Sequence, residues 1–266
     1  MKNFLLILIA GSVIITVCQM PESKSESNQQ DLIENEIRWQ GENEVANHLA
    51  LLGFHRYITY EDHHAFILSE AAVNEDSSLF ASHVLLAFLG KGDRREYHRK
   101  MASQFVQGEN RTSRLFVSLL DFDDINDSLR TERKRIWTEM HEISNDPFIH
   151  YMYIRHMNGT NAEKIRELEK LIKFCTENDY NYTATAANNM MGYLHMREGN
   201  LNAGVKAIEE CLKLHPGGYN PLDSRAEFYL FQGDTAEAIQ TYQKVLERYP
   251  YAEYAISKLD ELQRDL

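Results

Sequence analysis

Apolar residues recur every three or four positions along most of this chain, and glycine, asparagine, aspartate and proline break the pattern at short, regular intervals. That period lays apolar side chains along one face of an α-helix, and no segment alternates apolar and polar residues convincingly enough for a strand. The clearest stretch runs from Asn188 to Pro250. NNMMGYLHMREGNLNAGVKAIEECLKLHP ends at Pro216, and SRAEFYLFQGDTAEAIQTYQKVLERYP ends at Pro250, 34 residues later. Each reads as two helices joined by a glycine turn. Small residues twelve apart, Gly192 with Gly204 and Ala226 with Ala238, let the two backbones of a hairpin approach. Gly199 and Gly233 suit the left-handed conformation that ends a helix, and Asn200, like Asp234 with Glu237, starts the next. Proline cannot continue a helix interior, so Pro216 and Pro250 close their units.

The same spacing returns near the start of the folded part. Gly53 precedes Ala65 by twelve residues, Ala72 follows seven later, and Ser77 stands in the place of the proline. Between these framed hairpins the punctuation persists but the spacing loosens. A helix ends near Gly90, Asp93 with Glu96 reads as a capping box for the next, and Arg99 occupies a small residue's place. A further pair spans residues 109–145 and ends at Asp146 and Pro147. Thr160 with Glu163 then opens a long helix whose Ile165, Leu168, Leu171, Ile172 and Cys175 share one face. After Pro250 comes a last helix with Tyr254, Ile256, Leu259 and Leu262 expected inward. The pattern predicts an all-α fold over residues 37–266, a right-handed α-solenoid of about six helical hairpins plus a C-terminal capping helix.

The recurring order of small residue, turn glycine, second small residue, branched or aromatic residue (Ile208, Tyr242) and proline, at a 34-residue period, resembles the tetratricopeptide repeat (TPR). That resemblance implies a concave groove, lined by the first helix of each hairpin, that holds extended or helical segments of other proteins. By analogy the groove positions are Asn189, Tyr193 and Met196 around Gly192. Around Ala226 they are Asp223, Glu227 and Leu230, and around Gly53 they are Ala50, Phe54 and Tyr57. Family members that clamp a terminal carboxylate place lysine, arginine and asparagine there. Asp223 and Glu227 favour instead a lysine or arginine of the partner, unless the two acids merely solvate the surface.

Charge and the leader add location. Of 266 residues, 28 are basic and 40 acidic; the net charge of −12 repels phosphate backbones and argues against a nucleic-acid partner. MKNFLLILIAGSVIITVCQM has an apolar run from Phe4 to Val17, shorter than a bilayer span and suited to the core of a signal peptide over residues 1–18. ITVC resembles a bacterial lipoprotein signal, in which Cys18 is lipidated. Val17 departs from the small residue that motif has, so ordinary cleavage and an uncleaved anchor stay open. Residues 19–36 read as a flexible tether. With its repeats, the chain looks like the cell-envelope repeat lipoproteins of Gram-negative bacteria, which implies an exported protein, membrane-anchored and periplasm-facing or secreted, that binds a protein partner.

Catalytic signatures are thin. The sequence has no GxSxG, HExxH, GxxxxGK or SxxK pattern, and no two of its eleven histidines lie three or four apart on a helix. No cofactor or metal is expected. Asp121, Asp123, Asp127 and Glu132 stand at calcium-loop spacing, but Ile125 replaces a donor and Asn126 the turn glycine, so an acidic turn is the reading. Cys175 and Cys211 either pair or stay as packed thiols; the small-residue place held by Cys211 favours the thiol. The expected function is a non-catalytic protein–protein interaction scaffold. The alternatives are an accessory or regulatory subunit of an envelope enzyme, and an enzyme with its site in the irregular middle hairpins.

Overall fold

The computed structural model describes residues 35–122 and 127–264. The expected leader with Cys18, nearly all of the expected tether and the centre of the expected acidic turn lie outside the described residues.

Thirteen α-helices follow one another, with no strand among the described residues. They run as α1 (Glu44–Ile58) and α2 (Asp62–Glu75), α3 (Phe80–Leu89) and α4 (Gly92–Phe105), then a short α5 (Arg111–Ser118) extended by a 3-10 turn, and α6 (Asp127–Ile143). After them come α7 (Pro147–His156) and α8 (Asn161–Glu177), α9 (Asn181–Arg197) and α10 (Leu201–Leu214), α11 (Asn220–Phe231) and α12 (Thr235–Arg248), and finally α13 (Glu253–Arg264). Most successive helices pack on one another and α13 lies on α12, giving a solenoid of helical hairpins with an end helix.

The two C-terminal framed hairpins share one turn and cap. Gly199 and Gly233 take φ of 76° and 79°, and each is followed by a residue whose N–H returns to the helix: Asn200 to His195 O at 2.9 Å and Asp234 to Tyr229 O at 2.9 Å. Side chains then start the second helix, Asn200 accepting from Ala203 N–H and Asp234 from Glu237 N–H. Ala65, Ala226 and Ala238 are fully buried where the paired helices touch. At Gly204 even a methyl group would sit 2.7 Å from the Phe228 ring and 2.9 Å from Gly192 O.

The main core fills the middle hairpins, where the sequence frame was loosest. Trp39, from the extended segment before α1, lies 4.3 Å from Phe54, which meets Phe148 edge-on at 5.0 Å; Trp137 meets the same Phe148 at 5.8 Å. Asn110 Nδ2 donates to Glu36 O and Arg38 N–H to Ser113 Oγ, so the segment ahead of α1 is fastened to α5.

Several local expectations change. The Thr160–Glu163 capping box is present, but α4 begins at Gly92, with Lys91 at its N-cap and no side-chain cap, because Gly92 takes a positive φ and draws Asp93 into the first turn. Ala50 does not face a groove: with Ala46 and Gly53 it makes the small-residue stripe that lets α1 lie close on α2, and it is fully buried. In α13 Ala255 and Leu259 are buried and Leu262 packs partly buried on the same core, as expected of the two leucines, while Tyr254 and Ile256 are 45% and 42% exposed. Small Ala255 brings that helix close on one narrow stripe and turns its neighbours out. Cys175 and Cys211 are buried free thiols.

The local frame also gives no hint of a closure between distant hairpins. His55 on α1 stacks on Tyr182 of α9 at 4.0 Å, and His64 on α2 meets Tyr249 at 4.9 Å. The first hairpin therefore rests on the last two.

Candidate binding cleft

The closure is centred on Glu61, which follows α1 at the position held by Asn200 and Asp234 in the sister hairpins. Glu61 caps no helix through its side chain. Its fully buried carboxylate takes a short ion pair from Arg56 and the Tyr219 N–H at 2.8 Å, and lies 3.4 Å from His215 Nε2. Burial pushes the Glu61 pKa up, but hydrogen bonds from His215 and Arg56 outweigh it and hold the carboxyl below its usual range.

One residue earlier stands Tyr60, where the sister hairpins have Gly199 and Gly233. Its φ is 62°, and its N–H and that of Glu61 make the same return bonds, to Tyr57 O at 3.1 Å and Arg56 O at 2.8 Å. The turn is thus conserved in geometry while a bulky residue sits in a left-handed position, at a cost of about 1–2 kcal/mol relative to glycine.

Around this turn the closure leaves a cleft of about 470 Å³ between the start of α2, the start of α11 and the α12–α13 link. Tyrosines 60, 219, 249, 251 and 254 contribute to its lining, Tyr219 stacked on Tyr249 at 4.5 Å. The charged lining residues are Asp62, Asp223 and Glu253, with no lysine or arginine. Among the described residues the Asp223 side chain takes part in no hydrogen bond or ion pair. Burial, and then the nearby Glu227 carboxylate, push its pKa up to about 7. Glu227 is occupied: it accepts from Tyr193 in a short hydrogen bond and from Tyr254 at 3.2 Å.

A second cavity of about 260 Å³ lies on the other side of Tyr60 and Asp62, which line both. Arg133 of α6, Arg155 of α7, Tyr57 and Tyr151 face it.

The sequence-predicted positions therefore separate. Asn189, Tyr193, Asp223 and Glu227 lie together, with Ser224 Oγ donating to Asn189 Oδ1 at 3.0 Å. Tyr57 lines the arginine cavity and stacks on Phe88 at 6.3 Å. Phe54 packs into the aromatic core, Leu230 packs on the α11–α13 core, and Met196 is half-buried. The missed residues are Tyr60, Asp62, Tyr219 and the tyrosines after α12, together with Arg133 and Arg155. Tyr60 carried a signal, a tyrosine in the glycine slot of its repeat. In the middle hairpins His141 and His150 stack at 4.5 Å beside Glu36 and Lys170. Among the described residues no group of three or more histidine, cysteine or acidic side chains is placed to hold a metal.

Residues 185–217 and 224–250, which are α9–α10 and α11–α12, each match a tetratricopeptide repeat model. No curated protein matches the chain. Among solved structures it is similar to a thermophilic TPR protein of Thermus thermophilus, at 16% identity over 82% of this chain and 98% of the other, with a TM-score of 0.36. It is similar to YrrB, a TPR protein with an unusual peptide-binding site, at 14% identity over 88% and 94%, TM-score 0.39. The TPR domain of P58(IPK) matches at 16% identity over 82% of this chain and 65% of that one, TM-score 0.37. The C-terminal part of the chain carries tetratricopeptide repeats.

Proposed function

We propose that the chain is a non-catalytic interaction scaffold of the cell envelope, held at the membrane through its leader or a lipid on Cys18, that seats a basic side chain of a partner protein's extended segment in the tyrosine cleft at Asp223. The observation that carries this reading is the unpaired carboxylate. Asp223 is half-buried and lines a cleft that holds no lysine or arginine, and the charged group that raises its pKa beyond burial is the Glu227 carboxylate. An ammonium or guanidinium group supplies the missing counter-charge, and tyrosine faces add a cation–π attraction of about 0.5–2 kcal/mol. Glu227, braced by two phenols, adds its field rather than a free carboxylate. Stacked repeats offer extended binding surfaces of this kind.

The test uses a fluorophore-labelled, end-blocked Gly-Ser-Lys-Ser-Gly peptide and its Nε-acetyl-lysine counterpart, titrated with the full chain at low ionic strength. The lysine form is expected to bind about five- to tenfold tighter, with the gap closing in Asp223→Asn and narrowing as salt is added. Equal binding of the two peptides, or a gap that survives Asp223→Asn in a folded variant, removes the reading.

A further inference from the structure

The cleft around Asp223 offers more than a seat for one cation. Its walls are helix ends and the links between helices, so a segment lying in it finds no strand edge to pair with. What it does present is aromatic surface. Tyr251, on the α12–α13 link, stands 6.0 Å from Tyr249 with the two rings at 70°, and His63 closes this corner at 5.6 Å from Tyr249 and 6.5 Å from Tyr251. Tyr251 is 72% exposed, so most of its ring is open to a partner. Among the described residues the hydroxyls of Tyr219, Tyr249 and Tyr251 bond to no protein group.

These features select a backbone conformation. A segment in the β form carries N–H and C=O groups that need a strand beside them. A helix, about 10 Å across with its side chains, needs a long apolar groove. This cleft is about 470 Å³ and has three acids in its lining. A polyproline II segment needs neither a strand nor such a groove, because it makes no internal hydrogen bonds and its prolines have no N–H to satisfy. Its carbonyls accept from phenol hydroxyls, and proline rings pack flat against the electron-rich faces of tyrosine. Proline also sets the backbone of the residue before it, so the segment loses little freedom on binding.

We propose that the segment taken by the cleft is a proline-rich one in the polyproline II form, with its prolines on the Tyr249–Tyr251 corner and its basic side chain at Asp223. The proposal rests on the function given above and names the class of segment. Three residues per turn put residues i and i+3 on one side, about 9 Å apart, so a single face of the segment carries both the base and a proline. Asp62 and Glu253 in the same lining, with no lysine or arginine, turn away proline-rich segments that carry acids.

The experiment titrates the full chain with end-blocked, labelled peptides of one length, each with a central lysine. One set places prolines before the lysine, after it or on both sides; the controls replace every proline by serine or by alanine, and each peptide has an acetyl-lysine counterpart. At least one proline peptide is expected to bind about fivefold or more tighter than its serine and alanine controls. That advantage is expected to close in Tyr251→Ala, while the preference for lysine over acetyl-lysine persists and the variant melts like wild type, as its exposure requires. Serine or alanine peptides that bind as tightly as every proline peptide overturn the proline-rich segment and leave the lysine cleft standing, as does a proline advantage unchanged in Tyr251→Ala. Lysine and acetyl-lysine forms that bind the wild type equally in every series overturn both.

Discussion

Replacing Glu61 with alanine is expected to destabilise the chain by about 3–5 kcal/mol, because it strips one side of a buried ionic network and leaves the other side in place. Arg56, His215 and the Tyr219 N–H all converge on that carboxylate, whose side chain has no exposure. The consequence is also one of cooperativity. In a solenoid each repeat normally rests only on its neighbours, whereas Glu61 joins the first hairpin to the α10–α11 link. Urea melts of the variant are therefore expected to show a lower midpoint and a broader transition as the first hairpin opens ahead of the rest. The pH dependence has a definite sign. The Glu61 pKa is lowered in the folded chain, so its stabilisation is present above the ordinary glutamate value of about 4.3 and is lost as pH falls through the lower folded value. Wild type is expected to lose more stability on acidification than Glu61→Ala does. A variant that melts like wild type means the closure does not hold the first hairpin.

Removing the Phe228 ring is the second large effect. Phe228 is fully buried, meets Tyr193 edge-on at 5.4 Å, and sits against Gly204 on the neighbouring hairpin. Phe228→Ala is expected to cost about 3–5 kcal/mol through lost burial and an unfilled cavity. Gly204→Ala is expected to cost about 1–3 kcal/mol, because its methyl group would press on the ring at 2.7 Å and on the Gly192 carbonyl at 2.9 Å. The double variant is expected to lose less than the two together, since the added methyl group enters space the ring has vacated. Thermal or urea melts of the four proteins measure this, and strict additivity would mean that ring and glycine do not share a packing site.

The hairpins themselves were legible because their causes are local. Glycine turns, helix starts and small residues twelve apart act within one repeat, and Gly192, Gly204, Ala226 and Ala238 do what their spacing says. That Asp223 lies beside Glu227 and Tyr193 was legible for the same reason, as positions in a repeat frame. The closure was not, because Glu61 and Tyr219 are 158 residues apart and no periodicity relates them. Its trace in the sequence is a pair of departures, Tyr60 for a turn glycine and Glu61 for a capping asparagine or aspartate. Arg133 and Arg155 were illegible for a different reason. Their helices hold the aromatic core around Trp137 and Phe148, where large side chains replace the small-residue frame, so neither arginine could be placed by counting.

The most direct test of the cleft is the titration of the Asp223 carboxyl by carbon-detected NMR on the full chain, alone and with the lysine peptide bound. Burial beside Glu227 is expected to put the midpoint at about 7 in the free protein. Between the ordinary aspartate value of about 3.9 and that midpoint the folded chain holds the extra proton, so this group's contribution to stability falls as pH rises through the window. A seated lysine is expected to pull the midpoint down by about one unit or more, with peptide affinity rising with pH across the same range. An Asp223 that titrates near 4 in the free protein and does not move when the peptide binds would contradict an unpaired carboxylate waiting for a cation.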